Sequence, residues 1–432
     1  MFPELSGKRL LILGGSLWKK AIKDFAVENN ITLVATGNDQ SAGIFEIADE
    51  KYSVNSTDSE SMRKLIKDAK IDGVYMGGSE PVIEAACVYL NELGLPCYCT
   101  REQWNYLQNK ANLKKLYKRF DIPVATQYHI TDDFDVTCLL ASDYPVITKP
   151  VDGSGSNGFS VCHNYVELKT GYELAKSNSR SGKVLVEKFV PNDSIVAVYR
   201  MSEGKLHYCG IENKYPVYYS KQGTYVAGMH IFESSKEKEF RRLYEEKLQK
   251  MFSSVGIKEG PIWIEVFLDG DKYCFNEIGF RYSGSVTIWP TQYISGYNEV
   301  ASDIYYALTG KSKIEGFTSL IPTGFKRKKK YCMYSIHLHP GTIDRVEGLD
   351  KLSSLANVVS IPTTKEVGMH VYDTGSVGQV FAFVHFVFDT FEELSSMIET
   401  IHQELRVYNE DGVNMVNRMV DLSKAYEREA LQ

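Results

Sequence analysis

Apolar runs alternate with amphipathic stretches through the opening part of the chain. Residues 9–13 read as a buried strand ending at Gly14-Gly15, and 18–29 carry helical periodicity. Residues 31–36 are strand-like, and 59–70 predict a polar-faced helix before a strand at 73–76. Strands separated by helices predict a parallel sheet with right-handed crossovers. A second turn after a strand, Met76-Gly77-Gly78-Ser79-Glu80-Pro81, opens a helix over about 81–93. Ser79 suits the cap of that helix and Pro81 its first turn. Such a turn either offers backbone amides to an anion or is a tight turn and no more. Gly14-Gly15-Ser16 lacks the G-x-G-x-x-G spacing, so it reads as a strand-to-helix turn without dinucleotide chemistry.

From about residue 109 the pattern changes. It predicts a basic helix at 110–120, a strand at 144–149, a glycine and serine loop at 152–158 and a strand at 183–189. Long β-rich stretches follow to Gly284, with a helix near 297–308. Beyond about 318 come further strands, the turn Pro340-Gly341-Thr342, a strand at 380–388 and a helix at about 390–404 started by Asp389 and Thr390.

Composition narrows the class. At 432 residues the chain exceeds the size at which one core keeps growing, so more than one domain is expected. Hydrophobic residues make up 43% and charged residues 24%, and no apolar run approaches the roughly 18–20 residues of a membrane span. The opening residues lack a basic region followed by an apolar one, so a cytoplasmic address is expected and no membrane partner. Eight cysteines show no framework spacing and read as reduced core thiols. A net charge of -6 argues against a nucleic-acid surface, and the run Lys326-Arg327-Lys328-Lys329-Lys330 reads as a solvated connector.

Two segments suggest chemistry. In the first, Lys149-Pro150-Val151-Asp152 leads into Gly153-Ser154-Gly155-Ser156-Asn157-Gly158. The small residues let backbone N–H groups approach a polyphosphate, the serines add hydroxyls and Lys149 adds a compact charge; a plain glycine-rich hairpin is the alternative. The second runs from Ile262 through Glu265 to Leu268, turns at Asp269-Gly270-Asp271, and returns through Asn276 and Glu277 to Ile278. A three-residue loop would leave Glu265 opposite Phe275 with Glu277 diagonal on the same face; a two-residue loop would put the glutamates on opposite faces. Glu265 lies inside an apolar strand, where an isolated carboxylate is costly unless paired or metal-bound. The expectation is therefore that Glu265 and Glu277 flank Mg²⁺, with Mn²⁺ as a substitute. Arg281 would add a cation suited to an acyl phosphate or a transferring phosphoryl group.

In order and spacing, the segments from about Arg9 to Tyr306 resemble the ATP-grasp superfamily, and within it the carboxylate-amine ligases related to biotin carboxylase, carbamoyl phosphate synthetase and carboxyaminoimidazole ribonucleotide synthetase. Asn109-Lys110 resembles the family's D-K motif, Ile147-Thr148-Lys149-Pro150 its second lysine strand, and the loop through Gly158 its phosphate lid. Val186-Glu187-Lys188-Phe189-Val190 is similar to its adenine hinge. Near Ser194 the family carries a ribose-binding glutamate, for which Asp193 stands here, and Lys214 resembles a further phosphate-facing lysine. Asn276-Glu277-Ile278-Gly279-Phe280-Arg281 resembles the metal motif E-I-N-P-R, with Gly279 at the position of an asparagine. The histidine that follows the arginine in carboxyaminoimidazole ribonucleotide synthetase is absent, and Tyr282-Ser283-Gly284-Ser285 follows instead, which disfavours carboxylation of a purine precursor.

The resemblance implies an α/β and α+β multidomain protein: a Rossmann-like domain at 1–105, an ATP-grasp domain at 106–312 and a small α+β domain at 313–432. It implies an ATP-dependent ligase that activates a carboxylate as an acyl phosphate and couples it to an amine, releasing ADP and phosphate. Small-molecule substrates and a homodimer fit that reading. A carboxylase using bicarbonate and a non-catalytic nucleotide-binding module are the rivals. Specificity is expected in loops 214–230 and 283–292, which carry Tyr218, Tyr219, Tyr225 and Trp289.

Overall fold

The computed structural model describes residues 1–131, 134–152, 158–190, 194–221, 224–325 and 329–429. Gly153, Ser154, Gly155, Ser156 and Asp193 lie outside the described residues, as does most of the basic run at 326–330.

The chain opens with strands β1 (Arg9–Ile12), β2 (Thr32–Thr36), β3 (Glu50–Tyr52) and β4 (Gly73–Tyr75), joined by helices α1 (Lys19–Glu28), α2 (Ile44–Ile47) and α3 (Ser59–Asp68). The strands pair in the order β3-β2-β1-β4, all parallel, as the alternation of strand and helix predicts. Helix α4 (Glu80–Leu93) follows. Ser79 stands at its N-cap with no side-chain hydrogen bond, so the expected cap is not made; Pro81 does fall in the first turn. The two glycine turns lie back to back: Gly77 has φ +71°, and a Cβ there would come within 2.7 Å of the Gly14 Cα. That close approach fixes where the start of α4 points.

Helices α5 (Arg101–Gln108) and α6 (Lys110–Arg119) come next. Thr100 and Gln103 form a capping box on the first, and the Asn109 side chain accepts from the Ala111 and Asn112 amides to start the second. Strands β5 (Gln127–Tyr128), β6 (Val146–Pro150), β7 (Ser160–Cys162) and β8 (Val184–Lys188) form an antiparallel sheet in the order β5-β8-β6-β7, against which α7 (Tyr165–Ser177) packs Leu168 and Tyr172.

Among the described residues the largest sheet has nine strands. It uses β9 (Ser194–Ser202), β10 (Lys205–Tyr219), β11 (Thr224–Phe232), β12 (Gly260–Asp269), β13 (Lys272–Gly279) and β14 (Lys330–Leu338). After β15 (Gly341–Glu347) the chain adds β16 (Val358–Ser360), β17 (His370–Val371), β18 (Val380–Phe388), β19 (Arg406–Asn409) and β20 (Val416–Asn417). The order is β13-β12-β9-β10-β11-β14-β18-β16, with β20 on β14; β17, β15 and β19 form a separate small sheet. Every residue of β9 and of β18 is buried, so both strands are covered on both faces. Helices α8 (Glu237–Ser254), α9 (Ile288–Ser295) and α10 (Glu299–Thr309) precede β14, and α11 (Leu349–Ser353), α12 (Phe391–Glu404) and α13 (Leu422–Glu429) belong to the closing segment. Helix α8 interrupts the β-rich stretches expected up to Gly284. Its apolar residues Phe240, Leu248, Met251 and Phe252 are buried, while Arg241 pairs with Glu237 and Glu245 one turn away on either side. Among the described residues no helix is long and apolar enough to cross a membrane.

Candidate active site

The β12–β13 hairpin sets the two glutamates. Its loop is the two-residue turn Gly270-Asp271, with Gly270 at φ +60°, as a type II′ turn requires at its first position. Of the two loops the sequence allows, the two-residue one forms, and with a regular ladder it would have separated the carboxylates. A β-bulge between Glu265 and Val266 corrects the register: Val266 pairs with Phe275, Asn276 is the extra residue, and Glu265 lies directly opposite Glu277. The side chain of Asn276 also turns into the site, donating to the Glu265 Oε2 at 2.8 Å and accepting from Lys149 Nζ at 3.1 Å.

The charges around this pair are unequal. The Lys214 ammonium forms a short ion pair with Glu265. Burial alone would raise the Glu265 carboxyl, but Lys214, then Asn276 and Lys149, outweigh it and hold the group below the ordinary carboxylate range. Glu277 goes the other way: burial, then the facing charge of Glu265, raises it despite Lys110 and Lys214. Two carboxylates aimed at one space, one of them short of positive charge, make a donor set that a divalent cation relieves. Among the described residues no cluster of three His, Cys, Asp or Glu side chains could hold a metal alone, so an ion here would take further oxygens from a bound phosphate.

Behind the pair lies a buried triad. Glu187 on β8 is 1% exposed and sits 3.2 Å from Lys114 Nζ and 3.4 Å from Lys149 Nζ. Burial would raise Glu187, yet Lys149 and Lys114 outweigh it and keep its carboxyl low; burial also lowers the Lys114 ammonium despite Glu187. Removing one partner of so deeply buried a pair costs about 3–5 kcal/mol. Lys114 escaped the sequence reading, although it lies one helical turn beyond Lys110 on α6, and it also donates to the Phe275 carbonyl at 3.0 Å.

Arg281 closes the other end. Its Nε and Nη2 donate to Glu80 Oε1 at 2.9 and 2.6 Å, its Nη1 donates to the Tyr282 carbonyl at 2.7 Å, and its guanidinium lies 5.2 Å from the Trp263 ring centroid. Glu80 is the first residue of α4, so the second glycine turn reaches the site through a carboxylate. Trp263 explains Gly279: a Cβ at that position would lie 2.0 Å from the indole ring. The space a larger residue would need is filled by an aromatic wall.

Lys110, Lys114, Lys149, Glu187, Phe189, Val190, Lys214, Glu265, Asn276, Glu277 and Arg281 all line one cavity of about 310 Å³, together with Glu80 and the apolar side chains of Leu107, Ile147, Val161 and Phe267. Gly158 turns with φ +73° against Asn178 and is not part of that wall. A second cavity of about 850 Å³ lies among Ser16 to Lys20, Trp289, residues 318–322 and residues 359–366. Trp18, in its wall, lies 5.1 Å from the Tyr282 ring, next to Arg281.

Residues 102–297 match the family model described as the ATP-grasp domain. The chain carries an ATP-grasp domain. Its sequence is 26% identical over 287 residues to the formate-dependent phosphoribosylglycinamide formyltransferase of Sulfurisphaera tokodaii, covering 63% of this chain and 70% of that protein. Among solved structures, the biotin carboxylase domain of the 2-oxoglutarate carboxylase of Hydrogenobacter thermophilus has a TM-score of 0.74 at 17% identity, over 95% of this chain and 91% of that one. An L-amino acid ligase from Bacillus licheniformis has a TM-score of 0.73 at 17% identity, over 94% and 99% of the two chains. The ATP-grasp domain fits a nucleotide in a testable way. The cavity lining combines the apolar side chains of Leu107, Ile147 and Phe189 with the cations Lys149, Lys110 and Lys214 and the two glutamates, the mixture that a base and a phosphate chain require.

Proposed function

We propose that the chain is an ATP-dependent ligase that phosphorylates a small carboxylate and couples the resulting acyl phosphate to an amine, releasing ADP and phosphate. The observation that carries this reading is the direct pairing of Glu265 and Glu277 beside Lys149, Lys214 and Asn276, with Arg281 at the far end of the same cavity. Lys110 and Lys149 would hold the polyphosphate. Glu265 and Glu277 would hold Mg²⁺, with Mn²⁺ as a substitute, and the ion would neutralise phosphate charge as it develops. Lys214 stands in for part of that charge now, and would turn to the phosphate when an ion binds Glu265. Arg281, oriented by Glu80, would stabilise the acyl phosphate. Glu187 would face the adenine end while tying Lys114 and Lys149 in place.

The name of the Sulfurisphaera relative couples formate to a phosphoribosylglycinamide, a pairing of small carboxylate and acceptor of the class proposed here. The second cavity would take the acceptor, with Lys365 in its wall as a cation for an acidic group. We read the chain in three parts, 1–105 Rossmann-like, 106–312 ATP-grasp and 313–432 α+β, acting on small molecules in the cytoplasm.

The test incubates the protein with ATP, Mg²⁺ and a panel of carboxylic acids, formate first and then the amino acids, with and without a mixture of amines including glycinamide. ADP is followed and products are weighed. The expected result is ADP release that depends on the acid, and a product whose mass is acid plus amine less water. ADP release with bicarbonate alone would make the chain a carboxylase, and ATP binding without ADP from any pool would make it a binding module.

A further inference from the structure

Coupling to an amine needs a proton acceptor, because an α-amino group with a pKa near 8 arrives largely as ammonium at neutral pH. Most carboxylates lining the ATP cavity are already committed: Glu187 to two lysines, Glu265 to Lys214 and Glu80 to Arg281, while Glu277 faces Glu265 across the proposed ion.

One buried acid–imidazole pair lies just beyond them. Glu212 on β10 is 0% exposed and His230 on β11 is 3% exposed. Glu212 projects to the same sheet face as Lys214 two residues on, and His230 is the cross-strand partner of Lys214. His230 Nδ1 lies 2.8 Å from Glu212 Oε1. Glu212 Oε2 and both ring nitrogens of His230 have no hydrogen-bond partner among the described residues. Unsatisfied polar atoms at such depth are costly, and their persistence points to a task. Two serine hydroxyls run from the pair toward the segment that carries Arg281. Ser285 Oγ lies 3.5 Å from Glu212 Oε1 and 2.7 Å from Ser283 Oγ, and Ser283 is two residues past Arg281 and partly exposed. Charged and titratable groups face His230 from the neighbouring strands. They are Glu212 and Lys214 on β10 and, across β14, His385 on β18, which burial and then the charge of His230 push down to about 3, so it stays neutral.

We infer that Glu212 and His230, reached through Ser285 and Ser283, form the proton acceptor for the incoming amine. The inference rests on the ligase reading. In the coupling step one N–H proton of the ammonium passes through the serine hydroxyls to the Glu212–His230 pair. The freed nitrogen lone pair forms the C–N bond at the acyl carbon, and the C–O bond to phosphate breaks with its electrons leaving on phosphate. The second N–H proton departs with the phosphate, and the relay later returns the first to solvent. Glu212 and His230 act through the serines and are positioning and proton-holding residues; they do not touch the acyl group.

Hydroxylamine separates this role from a structural one, because it is an unprotonated nucleophile near neutral pH and traps acyl phosphates as hydroxamates without a base. Wild-type, His230→Gln, Glu212→Gln and the more peripheral Ser283→Ala proteins are compared with ATP, Mg²⁺ and the acid accepted in the panel above. The expected result is that each variant keeps hydroxamate formation within about threefold but loses amide formation by about 10²-fold or more, the size of a general-base contribution. The loss shrinks as pH rises and free amine accumulates. Equal losses on both nucleophiles, or no loss on either, would overturn the relay, as would a wild-type protein that makes hydroxamate and no amide. A wild-type protein that makes no hydroxamate with any acid would instead overturn the ligase reading beneath it.

Discussion

Glu265 lies between Ile264 and Val266 on a strand buried almost throughout, and its partners are what make a carboxylate tolerable there: Lys214, Asn276 and the facing Glu277. A carboxylate inside an apolar strand is legible in the sequence, which marks Glu265, and Lys149, Glu277 and Arg281 are candidates from the segments around them. Asn276 and Glu80 lie in segments the sequence singles out and Lys114 lies one turn past Lys110, but their contacts in the site become visible only when the fold brings them within reach. The same holds for Glu299 at the start of α10. Burial, helped by Asp303 and opposed by Arg200, pushes its carboxyl up to about 8, from 4.5 when unfolded. Between those values the folded chain holds a proton that the unfolded chain gives up, so this contribution is complete below about pH 4.5 and is lost as pH rises through about 8. Glu299→Gln should flatten the decline in the urea midpoint over that window and leave the protein more stable than wild type at its upper end. Circular dichroism at several pH values checks this, and parallel slopes for the two proteins would refute it.

At the scale of elements, the hairpin shows why the site was only half readable. Alternation of apolar and polar positions predicts two strands and a turn, but it does not reveal a bulge, since the extra residue Asn276 is polar and so is its neighbour Glu277. The bulge reaches by another route the shared face that the three-residue loop would have produced. Helix α8 was hidden for a different reason: its apolar positions are sparse, and i,i+4 ion pairs such as Arg241 with Glu245 fill the rest of its surface. The parallel opening sheet, by contrast, was legible because its strands are short apolar runs bounded by turns. One cross-strand device is testable in isolation. Trp263 occupies the space above Gly279 and faces Arg281, so Gly279→Ala should displace the ring and cost about 1–3 kcal/mol of stability, as overpacking does. In combination with Trp263→Val most of that loss should vanish, giving a coupling above about 1 kcal/mol in a double-mutant cycle. Additive losses from denaturant unfolding would show that the two residues do not share the space.

At the scale of the molecule, the cavity is assembled from segments far apart in the chain. Glu80 comes from the helix after the parallel sheet, Lys114 and Lys149 from the segment that carries the antiparallel sheet, and Lys214, Glu265, Glu277 and Arg281 from the nine-stranded sheet and the loop beyond it. The Arg281–Glu80 pair ties the segment of the parallel sheet to that of the nine-stranded sheet, and Lys8 adds another tie by donating to the Leu308 carbonyl at 2.6 Å. Strand β14 pairs with β11 and carries the same sheet into the C-terminal segment, a long-range pairing that no local pattern announces. What the whole arrangement exists to do turns on one pair of carboxylates and the ion they would share. The most direct test is ADP and hydroxamate formation from ATP and a carboxylic acid as Mg²⁺ is titrated, for wild type against Glu277→Gln. The account predicts Mg²⁺-dependent turnover in the wild type and a loss of about 10²-fold or more in the variant, with its fold unchanged by circular dichroism. Turnover in Glu277→Gln that matches the wild type at every Mg²⁺ concentration would contradict it.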